Sequence, residues 1–486
     1  MKRYALLFFV AIAWGGSAAC AAEEFVRRLS LSDITQRALE QNFDIQAYKY
    51  DAYIRRTDAG SAESIFDTFL SARLGYVSDE KEKLSAIAGT SAMQRQLSGG
   101  LEKLLPSGTA VAVDFADIRT TSNSAFSAFS PSYEGSLKLS VRQALGDNFF
   151  GRLDRGKIKI TRLQIEQSDL SLLARVENAL AQTQLTYWKV SLAFRQWEVE
   201  KDLFAKAQEL LRAFEEKLRL GLVEAAEVDA VAANTARRQA EVIAAYQRLL
   251  EITNELLFAL QDESADPRVI PDELPLPPER DPVFVDSLRR AQECRRDYLS
   301  AMRAVEEKKL NLAMRSREGW PRIDVEASFL RNGLDRQSSE AWQAVRKEDN
   351  TELFAGVSVR IPWENSAAES GSERAKQEKA KALLNVKRAE FRIYRDVHSA
   401  VHAVSSSRKI AALRKQAWEL ETQKLAFEEQ RFASGRSNSD VLIRYQQDVA
   451  QARLSYAAAL FEYQQNVIGL KLAEQSLLAE YWQGPL

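Results

Sequence analysis

The sequence runs to 486 residues, with 67 basic against 68 acidic side chains, 45% hydrophobic and 28% charged residues. That is the make-up of a folded chain, which excludes disorder over most of its length. A formal charge of -1 gives no basic excess to neutralise phosphates, which sets nucleic-acid binding aside. One hydrophobic core stops growing near about 250 to 300 residues, so either several domains or an elongated molecule is required.

The chain opens MKRYALLFFVAIAWGGSAACAAEEF, with Lys2 and Arg3 ahead of an apolar stretch from Tyr4 to Trp14 and small residues at Ala19 and Ala21. Residues 1–22 read as a secretory signal peptide rather than a membrane span. Its removal leaves 65 basic against 68 acidic residues, a formal charge of -3. Two processing routes are open: cleavage after Ala21 or Ala22, and lipidation of Cys20. Ser17 stands where lipoprotein signals usually carry leucine, which favours cleavage. Without Cys20 only Cys294 remains, so the exported chain has no disulfide framework. No later segment offers the roughly 20 apolar residues of a spanning helix, so any membrane crossing must be made of strands.

Residues 23–262 form a first unit. Ser32 to Asn42 reads as a short helix leading into a longer one. Strands are expected at about 66–78 and 133–144, where Leu70, Ala72, Leu74 and Tyr76, and then Leu137, Leu139 and Val141, alternate with polar or small neighbours. Between them, residues 93–119 suggest an extra strand hairpin turning at Pro106 to Gly108, which either joins the same sheet or lies elsewhere. From Arg155 to Leu220 a helical pattern continues for about 60 residues, on the order of 90 Å. Gly221 ends it, in a turn at 219–226. A proline-rich linker follows at 263–282, with six of the eleven prolines between Pro267 and Pro282.

Residues 283–476 repeat the plan. Residues 38–76 lie over 291–329 without a gap, so that Ala38, Glu40 and Asp44 meet Ala291, Glu293 and Asp297. Strands are expected at about 321–331 and 352–362, a second long helical run follows, and a turn at 433–440 contains Gly435. Residues 477–486 read as a C-terminal tail. The strands suit either small sandwich-like sheets or a barrel with a wet lumen; Arg73, Lys138, Asp324, Glu326 and Arg360 are the candidate lumen charges.

Gly221 and Gly435 are matched turns, each preceded four residues earlier by a base, Lys217 and Arg431. A glycine at positive φ stops a helix, and a base suits the helix C-terminus. Acids and bases follow both glycines: Glu227 and Asp229 after the first, Arg436, Asp440 and Arg444 after the second.

Together, the signal peptide, the two copies of helix, strand, strand and long helical hairpin, and the glycine at each tip resemble the TolC-like outer-membrane efflux protein family. LSLSDITQRALEQNFDIQA resembles its opening helix, WPRIDVEASFLRNG its third strand, VRIPWENSAAESGSERAKQEKAKA the exit from its last strand, and RFASGRSNSDVLIRYQQDVAQARLSYAAALFEY its second hairpin turn. The resemblance implies a mainly α chain with a β-barrel portion, a homotrimer in the Gram-negative outer membrane, and a long periplasmic α-helical barrel. It also implies a passive exit duct, opened at its periplasmic tip by an adaptor (membrane fusion) protein and an inner-membrane transporter. Glu227, Asp229 and Asp440, with Arg436 or Arg444 as counter-charges, are then the candidate gate. Glu227 stands six residues after its glycine, where the family often has an acid, whereas Asp440 stands at five. The competing reading is a periplasmic coiled-coil adaptor or scaffold protein.

His398 and His402 stand four apart on a helix, but Ser399 breaks the metalloprotease pattern, and the pair reads as polar positions on an amphipathic face. No phosphate-binding loop, dinucleotide fingerprint or nucleophile elbow occurs. An enzyme, a metal and a cofactor are not expected, and energy for transport would come from a partner.

Overall fold

The computed structural model describes residues 27–81, 89–262, 269–271, 274, 276–278, 280–347 and 349–482. The expected signal peptide and Cys20 lie outside the described residues. In chain order the elements are β1 (Arg27–Leu29), α1 (Leu31–Gln41), α2 (Phe43–Glu63), β2 (Thr68–Asp79), β3 (Ala92–Leu104), β4 (Thr109–Ser122), β5 (Ser132–Ala144), α3 (Arg152–Arg219), α4 (Ala225–Ala259), β6 (Val269–Pro271), α5 (Phe284–Cys294), α6 (Arg296–Arg317), β7 (Arg322–Asp335), α7 (Ser338–Lys347), β8 (Thr351–Arg360), α8 (Ser366–Ala433), α9 (Ser439–Glu474) and α10 (Leu477–Tyr481).

The two longest helices, α3 and α8, have 68 residues each, which at 1.5 Å per residue gives about 100 Å of rod. Each is paired along its first half by a helix of 21 or 22 residues, α2 or α6, and along its second half by one of 35 or 36, α4 or α9. Near the strands the layer runs α2, α3, α6, α8; beyond the middle it runs α4, α3, α9, α8. Four helices therefore lie side by side at every level. Two of these helices start on side-chain caps: Asn42 accepts from the N–H groups of Asp44 and Ile45 at the head of α2, and Asn438 from Val441 at the head of α9.

The main core sits at mid-length, where α1, α10 and the parallel pair β1 and β6 wrap the long helices. Ile34, Ile45, Leu180, Tyr187, Leu256, Leu260 and Leu477 are buried there. The Tyr187 hydroxyl donates to the Leu29 carbonyl at 3.0 Å and Gln184 Nε2 to Thr35 Oγ1 at 3.0 Å, so these two buried polar side chains are satisfied.

Six strands form one antiparallel sheet in the order β2, β3, β4, β5, β7, β8. The extra hairpin is thus part of the sheet, inserted between the first and second strands of the first unit. Its turn docks on the start of α3: a Cβ on Gly108 would stand 2.5 Å from the Gly151 backbone nitrogen, and both glycines hold positive φ. The second half has no such hairpin and carries α7 there, which the sequence pattern did not announce. The proline-rich stretch and the C-terminal residues are also less loose than expected. Val269–Pro271 pairs with β1, Leu274 is buried, and α10 buries Leu477 and Leu478.

Candidate functional site

Antiparallel partners point to the same side of a sheet and alternate along each strand, so the register assigns every strand residue to a face. One face carries Ser71, Arg73, Gln96, Ser98, Glu102, Asp114, Ser136, Lys138, Ser140, Arg142, Asp324, Glu326, Ser328, Asn332 and Arg360. All five candidate lumen charges lie on it. Opposite charges meet directly across strands at Asp114 and Lys138 and at Arg142 and Glu326, an arrangement that stabilises neighbouring strands. Phe69, Ile118, Leu330 and Phe354 interrupt this polar face.

The opposite face is an apolar band: Leu70, Ala72 and Leu74 on β2, Leu97 and Leu101 on β3, Val111, Val113 and Phe115 on β4, Leu137, Leu139 and Val141 on β5, Val325, Ala327 and Phe329 on β7, and Leu353, Ala355, Val357 and Val359 on β8. Leu70, Leu74 and Leu353 are 79%, 85% and 81% exposed. The large apolar residues on β3 and β5 are more exposed than the polar ones between them, as on the convex side of a curved sheet. Aromatic side chains bound the band: Trp320, Trp363, Phe149 and Phe150 toward the helices, Tyr76 and Tyr133 at the far end. Such girdles mark the two interfaces of a lipid layer.

Against the strand register the band shifts by four to six residues from β2 to β8. For a level band that is about one residue per strand, or a strand tilt of about 35° with a 3.3 to 3.4 Å rise and a strand spacing of about 4.8 Å. Closed barrels tilt their strands by about 35 to 45°. Among the described residues both edges, β2 and β8, are unpaired.

At the opposite end stand the two helical turns. Gly221 has φ +73 and Gly435 φ +71, and a Cβ on either would meet nothing within 4 Å. The N–H groups of Leu222 and Gly221 donate to the carbonyls of Lys217 and Leu218, and those of Arg436 and Gly435 to Arg431 and Phe432. The two turns are the same helix-stop motif. Between them Phe214, Val231, Leu425 and Leu442 form a small core, and Lys217 lies over the rings of Phe214 and Phe432. Glu227, Asp229, Asp440, Arg436 and Arg444 are all exposed. Among the described residues none of the five forms an ion pair with another.

Midway, Glu177 of α3 is 1% exposed and accepts from the Arg296 guanidinium and from the Leu478 N–H at 3.1 Å. It binds α3, the head of α6 and α10 together. Sequence reading missed this contact, because it joins positions 119 and 301 residues apart. Asp396, beside the histidine pair, is likewise in use: Arg295 donates to it at 3.0 Å and Arg395 at 2.7 Å. His398 and His402 lie 4.5 Å apart between ring centres with their planes tilted by 58°, and Tyr394 stacks on His398. Among the described residues no group of three His, Cys, Asp or Glu could hold a metal, and no helix is long and apolar enough to cross a membrane.

No family model matches this chain, and no curated protein matches it. Solved structures do. A membrane protein from Pseudomonas aeruginosa is 14% identical with a TM-score of 0.68, covering 91% of this chain and 90% of its own. The Campylobacter jejuni CmeC outer membrane channel is 12% identical at TM-score 0.67, covering 91% and 85%. The open state of the Neisseria gonorrhoeae MtrE outer membrane channel is 16% identical at 0.64, covering 91% and 88%. At these identities the likeness is one of fold.

Proposed function

We propose, from the premise that this chain has the fold of the TolC-like outer-membrane channels, that it is the exit duct of a tripartite efflux or type I secretion system in a Gram-negative outer membrane. The observation that carries the reading is the equal width of two layers. Six strands tilted by about 35° at about 4.8 Å spacing cover about 35 Å of perimeter. Four helices side by side at 8 to 10 Å cover about 36 Å. Sheet and helices can therefore close into cylinders of one diameter, and only the hairpin β3–β4 makes them match. Without it, four strands would cover about 23 Å at the same tilt.

Open, apolar strand edges are not tolerated in lipid, so closure must come from further copies. A cyclic homotrimer, the state that the resemblance implies, supplies eighteen strands and twelve helices, with a radius of about 17 Å for both. The apolar band then meets lipid, and Arg73, Lys138, Asp324, Glu326 and Arg360 line the lumen. A soluble periplasmic scaffold would leave the same band in water, far beyond what a soluble surface exposes.

The turns at Gly221 and Gly435 become the periplasmic mouth, where an adaptor docks and an inner-membrane transporter delivers cargo. The chain works as a passive conduit. Glu227, Asp229 and Asp440 recur three times around the axis, and Arg436 or Arg444 of a neighbouring copy supplies the counter-charge of the closed state. Rings of carboxylates favour cations. Single-channel recording of alanine variants tests the assignment: reduced cation selectivity or easier opening is expected, and unchanged conductance and selectivity in all of them would refute it.

A further inference from the structure

At the far end of the lipid-facing side of the sheet, one register row reads Tyr76, Arg95, Arg119, Tyr133 across four neighbouring strands. Arg95 and Arg119 are direct cross-strand partners. Like charges so placed repel and destabilise the pair unless an anion joins them. The other such pair in the sheet, Arg322 and Arg360, has Asp324 accepting from Arg322 at 3.0 Å. The row at Arg95 has no equivalent. Arg119 Nε is buried without a hydrogen-bond partner, and its guanidinium lies 5.6 Å from the centre of the Tyr133 ring. Neither arginine forms an ion pair among the described residues.

The nearby acids are engaged elsewhere. Asp117 stands one row nearer the helices, and its Oδ2 accepts from Ser338 Oγ at 2.7 Å and Trp342 Nε1 at 2.8 Å, both on α7. Asp335, partner of Tyr133 in the next strand, accepts the Arg336 N–H. Two neutral donors thus hold the Asp117 carboxylate against α7, and it forms an ion pair with neither arginine. What is left is a recess with two forked cations, walled by two tyrosines, two rows beyond Phe115, the last apolar residue of β4 on this face.

We propose that Arg95 and Arg119 clamp the phosphate of a phosphorylated lipid headgroup in the leaflet at the outward end of the barrel, an inference that rests on the membrane orientation proposed above. The forked guanidinium geometry suits a phosphate oxygen pair. The tyrosines supply the amphipathic wall of an interfacial site. The acyl chains of the same lipid run down the apolar band over Leu97 and Phe115.

Native mass spectrometry of the detergent-purified assembly tests this, with bisphosphorylated lipid A, phosphatidylethanolamine and inorganic phosphate as separate probes. Wild type should retain lipid A at least about tenfold better than Arg95→Gln/Arg119→Gln, as the loss of two charge-assisted contacts implies. Lys103→Gln, on the same face of β3 at the helix-side end, should behave as wild type. Arg95→Lys/Arg119→Lys, which keeps the charge and loses the fork, should fall between. Equal retention by wild type and the Gln variant overturns the clamp, as does an equal loss in Lys103→Gln. Inorganic phosphate bound as tightly as lipid A overturns the lipid assignment. If the double variant does not assemble, Arg95→Gln alone, at an exposed position, carries the same comparison. The membrane reading fails separately, on a wild-type protein absent from outer-membrane fractions.

Discussion

Replacing Glu177 should disconnect the middle of the molecule. Its carboxylate is the acceptor for a guanidinium that is 11% exposed and for a buried backbone N–H, so Glu177→Ala leaves two donors stranded. Breaking a buried ion pair from one side costs about 3 to 5 kcal/mol. Glu177→Gln keeps the shape and one acceptor oxygen and should cost about 1 to 2 kcal/mol. The pH dependence gives a second handle. Burial pushes the Glu177 carboxyl above its ordinary value of 4.5, against the opposing pull of Arg296 and the N–H groups of Leu478 and Leu477. With a raised folded-state pKa, the folded chain keeps the proton over a range in which the unfolded chain has lost it. Stability from this group is therefore full below about pH 4.5 and lost as pH rises through the folded value. Arg296→Met removes the guanidinium that restrains the shift, so it should lose more stability than wild type between pH 5 and pH 7.5. Denaturant unfolding, with hydrogen exchange of α10 as the local probe, reads both effects. Wild-type stability in Glu177→Ala, or a pH slope in Arg296→Met no steeper than wild type, would refute the reasoning.

Gly221→Ala and Gly435→Ala should each cost about 1 to 2 kcal/mol at the turn, from backbone conformation alone, since a Cβ there meets no atom; faster hydrogen exchange confined to the tip is the expected signature, and equal exchange would contradict it. Joining β2 to β5 with the hairpin β3–β4 removed should abolish the closed assembly or cut single-channel conductance to about half or less, as the lost perimeter requires; full conductance would show that the hairpin is not part of the wall. The Asp396 carboxyl is pushed up by burial, but hydrogen bonds from Arg395 and Arg295 outweigh this and hold it below its ordinary value of 3.8. Its contribution is present at neutral pH and declines as pH falls below about 3.8 toward the lower folded value, so the stability gap between wild type and Asp396→Asn should narrow in acid; a gap unchanged by acid would remove the charge from the explanation.

Much of this architecture is legible in the sequence because it rests on period and punctuation. Alternation at Leu70 to Tyr76 and at Leu353 to Val359 identifies strands, the long glycine-free run identifies α3, and two isolated glycines identify the tips. Residues 93–119 show a hairpin, but whether it joins the sheet depends on partners far along the chain, and period carries no information on pairing. The helix α7 escapes because its buried stripe, Ala341, Ala344 and Val345, is only one turn and a half long. The C-terminal residues look like a tail because their anchor, Glu177, is 301 positions away. The arginine row is invisible for the same reason, since Arg95 and Arg119 become neighbours only through the register of β3 on β4. At the tip, sequence places the charges but gives no pairing, and a single protomer leaves them exposed.

The central claim is that the open edges β2 and β8 meet in neighbouring copies to close a barrel in the outer membrane. Levelling the apolar band across that seam sets Leu74 of one copy beside Ala355 or Leu353 of the next. In a Cys294→Ala background, Leu74→Cys combined with Ala355→Cys or Leu353→Cys should give, on oxidation, a covalent trimer in the outer-membrane fraction. A chain that stays monomeric and soluble in the periplasm, with no crosslink at either register, would contradict the account.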